Sequence, residues 1–118
     1  MSGADLQART RRFALNVIRI VEALPGGRTA DVIGKQLLRS GPSVGANYRA
    51  ACRARSQNDF IAKMKIVEEE ADESAYWLRL LLDAGLAHKD ELTALLREAD
   101  QLVAITVASI KTARGRGQ

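Results

Sequence analysis

A long stripe of small and apolar residues in the middle of the chain limits the folds that this sequence can adopt. Its members recur at alternating steps of three and four residues, over about six helical turns. They are Phe60, Met64, Val67, Ala71, Ser74, Leu78 and Leu81. This spacing places them on one face of a helix, and its persistence is typical of helices that pack nearly antiparallel in a bundle.

Three other segments carry apolar stripes of the same period, so four helices are predicted in all. The expected helices span residues 5–24, 29–54, 56–84 and 89–112, with Thr29 and Ser56 as N-caps. Short connections join these segments, and no strand pattern is visible. The sequence therefore predicts an all-α protein with an antiparallel up-down-up-down four-helix bundle.

Length and composition agree with a single domain. The chain has 118 residues, of which 47% are hydrophobic but only 4% aromatic, so the core is aliphatic and rich in good helix formers. We expect one four-helix-bundle domain over residues 1–113. The last five residues, 114–118, contain no core-forming side chain and are predicted to be a disordered basic tail.

The stretch from residue 36 to residue 56 combines a predicted irregularity with small side chains. Pro42 removes a backbone hydrogen bond, which predicts a kink or a short break between Ser40 and Ser43. Asn47 lies among apolar positions, where its amide either satisfies carbonyls freed near Pro42 or bonds to another subunit. The candidates for the kink or for an oligomer interface are Ser40, Pro42, Ser43, Asn47, Tyr76 and Trp77.

Basic residues are concentrated in the first half of the chain. Residues 1–65 hold 12 Lys and Arg against 4 Asp and Glu, whereas residues 66–118 hold 6 against 10. This asymmetry indicates either a basic surface for a partner, such as RNA or DNA phosphates, or complementary surfaces between subunits. The candidate nucleic-acid-binding residues are Arg39, Arg49, Arg53, Arg55, Lys63 and Lys65.

The residue types needed for an enzyme are scarce. His88 is the single histidine, no Glu-x-x-His pair exists for a di-metal site, and Cys52 has no histidine nearby in the sequence. The acidic block 68–73 is interpreted as a solvated face, or as the contact of a neighbouring subunit's basic segment. We therefore expect no enzymatic activity, no cofactor and no metal. With no apolar run long enough for a membrane and no visible signal peptide, a cytoplasmic protein is expected.

Several short motifs together resemble one known family. They include Phe13 with Leu24-Pro25, the run 36–40 (QLLRS), Asp59-Phe60 and the run 76–78 (YWL). With Ser43-Val44, Ala46-Asn47 and the acids between residues 70 and 73, these features are similar to the bacterial ribosomal-RNA intervening-sequence proteins. The resemblance covers about residues 13–110 and is strongest at 36–82. Two positions depart from the family pattern. Pro42 stands where Thr or Ala is frequent, and Ala50 stands where an acid is frequent.

The resemblance implies a compact bundle that assembles into a homopentameric ring. A related branch is the accessory protein of diversity-generating retroelements, which is basic and is thought to bind nucleic acid and a reverse transcriptase. The implied partners are therefore the chain itself, RNA or DNA, and a reverse transcriptase. The family brings no catalytic residues.

Overall fold

The computed structural model describes residues 2–116 and consists of four antiparallel helices. They are α1 (Gly3–Glu22), α2 (Arg28–Cys52), α3 (Gln57–Asp83) and α4 (Lys89–Arg116). Each helix packs against the next one along the chain, and a smaller contact between α1 and α4 closes the square. The bundle measures 50 × 20 × 20 Å. The predicted four-helix bundle is confirmed.

The apolar stripe of α3 lies in the core, as its period predicts. Met64, Ala71, Leu78 and Leu81 have no exposed surface, and Phe60 packs half-buried at the end of the stripe. The other helices supply mainly aliphatic side chains to the same cluster. The hydrophobic effect of this continuous seam holds α3 between α2 and α4.

Both ends of α3 form as their residue types predict. The Ser56 hydroxyl accepts a hydrogen bond of 3.0 Å from the Asp59 amide, which caps the first turn. At the other end, Gly85 adopts a positive φ of 67°, and the Leu86 amide donates to the Leu81 carbonyl at 3.0 Å. This is a Schellman ending, in which glycine accepts the left-handed conformation without a side-chain clash.

Two other helix boundaries differ from the prediction. Helix α1 begins at Gly3 because Ser2 and Asp5 form a reciprocal capping box that starts the helix two residues early. Thr29 is not the N-cap of α2. That position belongs to Gly27, whose φ of 148° turns the chain after Pro25 so that the helix begins before the threonine.

The predicted tail also needs correction, because α4 continues through Arg116. Residues 114–116 are therefore helical rather than disordered, and Ala113 is still buried just before them. The remaining two residues of the predicted tail, 117 and 118, lie outside the described part of the chain. The extension matters because it carries two arginines to one end of the bundle.

Helix α2 passes through Pro42 without a break. The proline costs only the hydrogen bond to the Leu38 carbonyl, and side chains add others beside it. The Ser43 hydroxyl donates to the Arg39 carbonyl at 2.6 Å, and the Asn47 amide donates to the Ser43 carbonyl at 2.8 Å. The Asn47 bond is therefore local, although its acceptor is not the carbonyl that the proline leaves unpaired.

The small residues of α2 bring α1 close. A Cβ atom placed on Gly41 would lie 2.8 Å from Cγ1 of Val17, and one on Gly45 would lie 3.1 Å from Oγ1 of Thr10. At Gly41 this distance is shorter than real Cβ contacts, and at Gly45 a larger side chain would displace its neighbour by a few tenths of an ångström. The close neighbour of this part of α2 is thus a helix of the same chain.

Candidate nucleic-acid interface

Parts of all four helices meet at one end of the bundle. Gly3 of α1 lies against Tyr48 and Cys52 of α2, and the Gln57 amide of α3 donates to the Ala113 carbonyl of α4. We call this region the basic end and define it as residues 2–8, 47–67 and 104–116. It joins three segments that are separated in the sequence by 38 and 36 residues.

The net positive charge of the chain is concentrated at the basic end. It contains eight Lys and Arg against two Asp and Glu, a net charge of +6. The rest of the chain holds ten against twelve, a net charge of −2. The cations of the basic end are Arg49, Arg53, Arg55, Lys63, Lys65, Lys111, Arg114 and Arg116. Folding therefore turns an asymmetry along the sequence into one along the bundle.

Both carboxylates of the basic end are already occupied by local partners. Asp5 accepts from the Ser2 amide at 3.1 Å, and this bond keeps the pKa of Asp5 below its usual range. Asp59 accepts from the Lys63 ammonium at 2.6 Å, which is the main reason that the pKa of Asp59 is lowered. Within residues 2–116, the other seven cations of the basic end make no ion pair.

Five of the six predicted nucleic-acid-binding residues lie in the basic end, and the sixth lies elsewhere. Arg39 is near the middle of α2, where it pairs with Glu70 at 3.2 Å and also with Glu73 of α3. Its guanidinium fastens α2 to α3 and does not join the basic end. The sequence could not reveal this pairing, because it depends on how α2 and α3 align.

Three cations of α4 were missed by the sequence analysis. Arg114 and Arg116 reach the basic end because α4 is longer than predicted, and Lys111 lies in the last turn of the predicted helix. Their spacing of two and three residues on an exposed helix end gives no motif. The buried Ala113 and Ile110 continue the α4 stripe, and this continuation was the available indication that the helix extends.

A groove of about 620 Å³ runs between α1 and α2 beside the basic end. Its floor consists mainly of small side chains, among them Ala4, Ala8, Gly45 and Ala46, and Pro42 lines its wall. Three arginines also line it, Arg11, Arg49 and Arg53, and among the described residues no carboxylate does. We call it the α1–α2 groove.

The candidates for an oligomer interface fall into two groups. Ser40 is fully buried, and its hydroxyl lies 2.9 Å from that of Ser74 in a hydrogen bond between α2 and α3. It is therefore not a surface residue, which corrects its assignment to an interface. Tyr76 is 57% exposed and packs edge-on against Trp77, whose indole donates to Glu73 at 2.9 Å.

The remaining chemically reactive groups do not form a site. Burial, followed by interaction with the Cys52 thiol, raises the pKa of Tyr48 to about 12, so this phenol stays neutral. No group of three or more metal-ligating side chains occurs within residues 2–116. In the same part of the chain, no helix is both long and apolar enough to cross a bilayer.

Comparison with known proteins identifies the family. The sequence matches the family model of the 23S rRNA-intervening sequence proteins over residues 4–108. It is also similar to the crystal structure of a protein of unknown function from the S23 ribosomal protein family of Bacteroides thetaiotaomicron VPI-5482, with a TM-score of 0.83 and 31% sequence identity. That similarity covers 89% of this chain and 97% of the other. Curated proteins gave no match. The chain belongs to the 23S rRNA-intervening sequence protein family.

Proposed function

We propose that this protein is a non-enzymatic, single-domain binding module that assembles into a homopentameric ring and binds RNA or DNA through its basic end. The observation that carries the proposal is the net charge of +6 at one end, where both carboxylates are already bound by local partners. The family name adds a link to ribosomal RNA. A cytoplasmic location, where ribosomal RNA is found, fits this proposal.

Phosphate groups are the ligand that such a surface suits best. A nucleic acid carries closely spaced negative charges with condensed counterions, and cations that replace those counterions gain free energy. Arginine guanidinium groups also bind phosphate oxygens in a bidentate manner. Contacts of this kind hold a backbone without reading its bases, so we expect binding with little sequence preference.

Some of these cations have a structural role in addition. Arg49 and Arg114 lie in the last turns of α2 and α4, where they interact favourably with the negative ends of the helix dipoles. Arg55 lies in the connection between α2 and α3, and Lys65 lies on the exposed face of α3. Neither lies in the last turn of a helix, and of the two only Arg55 interacts with a carboxylate, that of Asp59. These two residues therefore test binding with little effect on folding.

Binding should be measured by fluorescence anisotropy with single-stranded and duplex RNA and DNA at several salt concentrations. We expect binding at ~50 mM salt that weakens by about one log unit per log unit of salt for each phosphate contacted. The variant Arg55→Glu with Lys65→Glu should bind more weakly and show a shallower salt dependence. Lys89→Glu, at the opposite end, is the control. Absence of binding to all four ligands at ~50 mM salt would rule out the proposal.

A reverse transcriptase is a further candidate partner, on the resemblance of this sequence to the accessory proteins of diversity-generating retroelements. A second function, a structural or protein-interaction ring with no nucleic-acid role, is favoured by the α1–α2 groove. Its small-residue floor would admit a helix of another subunit. Assembly without any nucleic-acid affinity in the anisotropy experiment would favour this second function.

A further inference from the structure

The α1–α2 groove belongs to a larger face that has no partner within residues 2–116. Beyond the groove, Ile18 of α1 is 40% exposed and Leu38 of α2 is 38% exposed. Ile18 follows Arg11 by two helical turns, and Leu38 precedes Pro42 by one, so both continue the face of the groove. The face therefore has a cationic level near Arg11 and an apolar level near Leu38.

The outer surface of α3 carries a complementary stripe. Ile66, Glu69, Asp72 and Tyr76 are all exposed and follow one another at steps of three or four residues. Within residues 2–116, neither Glu69 nor Asp72 makes an ion pair. This stripe, which we call the α3 outer stripe, thus has an anionic level near Glu69 and an aromatic level at Tyr76.

The two surfaces match in height along the bundle. The hydrogen bond between Ser40 and Ser74 sets the alignment of the antiparallel helices α2 and α3. Counting residues from that bond places position 38 level with Tyr76 and position 45 level with Glu69. Thr10 packs at Gly45, so Arg11 also lies near the level of Glu69.

We propose that the α1–α2 groove of one copy binds the α3 outer stripe of a second copy, with the bundle axes parallel to the axis of a closed ring. In this arrangement residues at the same level meet: Arg11 contacts Glu69, and the apolar level at Leu38 contacts Tyr76. The two surfaces are different faces of the bundle, which makes the contact head-to-tail, and such contacts generate rings when the rotation between copies closes. The inference rests on the proposed assembly and assigns its interface.

The same alignment separates assembly from nucleic-acid binding. Counting from the Ser40–Ser74 bond places Arg49 level with Lys65, where two cations would face each other across the contact. Arg49 therefore does not stabilise the contact, although it lines the groove. Because every bundle in the ring has the same direction, all the basic ends lie on one side, where a single nucleic-acid strand can contact several copies.

The test reverses the charges of Arg11 and Glu69 and measures the mass of the assembly by sedimentation equilibrium. Circular dichroism confirms that each variant is helical. Arg11→Glu and Glu69→Arg should each weaken assembly by about tenfold or more, because like charges then face each other. The double variant should regain the mass of the unchanged protein, because the pair is restored in reverse. Arg49→Glu, the comparison variant in the same groove, should not weaken assembly, because its carboxylate would face Lys65, and it should lose nucleic-acid affinity.

The outcomes distinguish this inference from the proposed function. If the unchanged protein is monomeric, both the assembly and its assigned interface are wrong, whereas nucleic-acid binding is judged separately by anisotropy. If the protein assembles but Arg11→Glu has the same mass, α3 is not the occupant of the groove. If that variant keeps its mass and loses nucleic-acid affinity, the groove binds phosphates instead.

Discussion

The contact between Gly41 and Val17 predicts that Gly41→Ala destabilises the bundle, although alanine is the better helix former. In an exposed helix this exchange stabilises by about 1 kcal/mol. Here the added methyl group would lie 2.8 and 2.9 Å from the two γ-carbons of Val17. Overpacking of this kind typically costs about 1–3 kcal/mol. Subtracting the helix gain leaves an expected loss of up to about 2 kcal/mol in the free energy of unfolding.

The matched variant is Val17→Ala, which removes both γ-carbons and leaves the Val17 Cβ contact of 3.1 Å. In that background Gly41→Ala should be close to neutral, so the two substitutions are coupled by at least about 0.5 kcal/mol. Gly34→Ala is the control. Its new methyl would lie 3.3 Å from Cδ1 of Leu24 and from Cγ1 of Val21, contacts that a shift of a few tenths of an ångström relieves, so the helix gain should prevail. Urea unfolding followed by circular dichroism measures all four variants, and a stabilising Gly41→Ala would refute the reasoning.

Two further substitutions test the packing and the charge pairing of α3. Leu78→Ala should cost roughly 2–5 kcal/mol, because Leu78 has no exposed surface, and a loss below about 1 kcal/mol in urea unfolding would contradict its placement in the core. A hydrogen bond from the Trp77 indole, followed by that from Arg39, holds the pKa of Glu73 below its usual range. This stabilisation is present above the unfolded-state pKa and is lost as the pH falls through the lowered folded-state pKa. The melting temperature of Glu73→Gln should therefore depend less on acidic pH than that of the unchanged protein, and identical pH profiles would count against the pairing.

The sequence predicted the helices well because their stripes repeat over many turns. The α3 stripe from Phe60 to Leu81 can be recognised from its period alone. Its ends at Ser56 and Gly85 carry residue types that commonly cap helices. The first turn of α2 was predicted less well. Thr29 is a common cap, but the decisive feature was the positive φ of Gly27, which residue identity alone does not give.

The candidate site was predicted only in part, because the partner of each charged side chain depends on how the helices align. Arg39 and Arg49 look equivalent in the sequence, yet Arg39 faces the acids of α3 and Arg49 lines an open groove. The environment of each arginine depends on the position of α2 along the axis of its neighbours. That position is set by contacts such as the Ser40–Ser74 hydrogen bond, which links residues 34 positions apart.

The same alignment explains why the charged ends and the groove can serve different purposes. A ring with all basic ends on one side brings like charges together, and their repulsion opposes assembly. The proposed contact offsets this repulsion away from the basic ends, at the Arg11–Glu69 level and the apolar level of Leu38 and Tyr76. A nucleic acid bound across the basic ends would remove much of the remaining repulsion by neutralising them. Assembly and nucleic-acid binding on this bundle should therefore strengthen each other, even though Arg11 serves one and Arg55 serves the other.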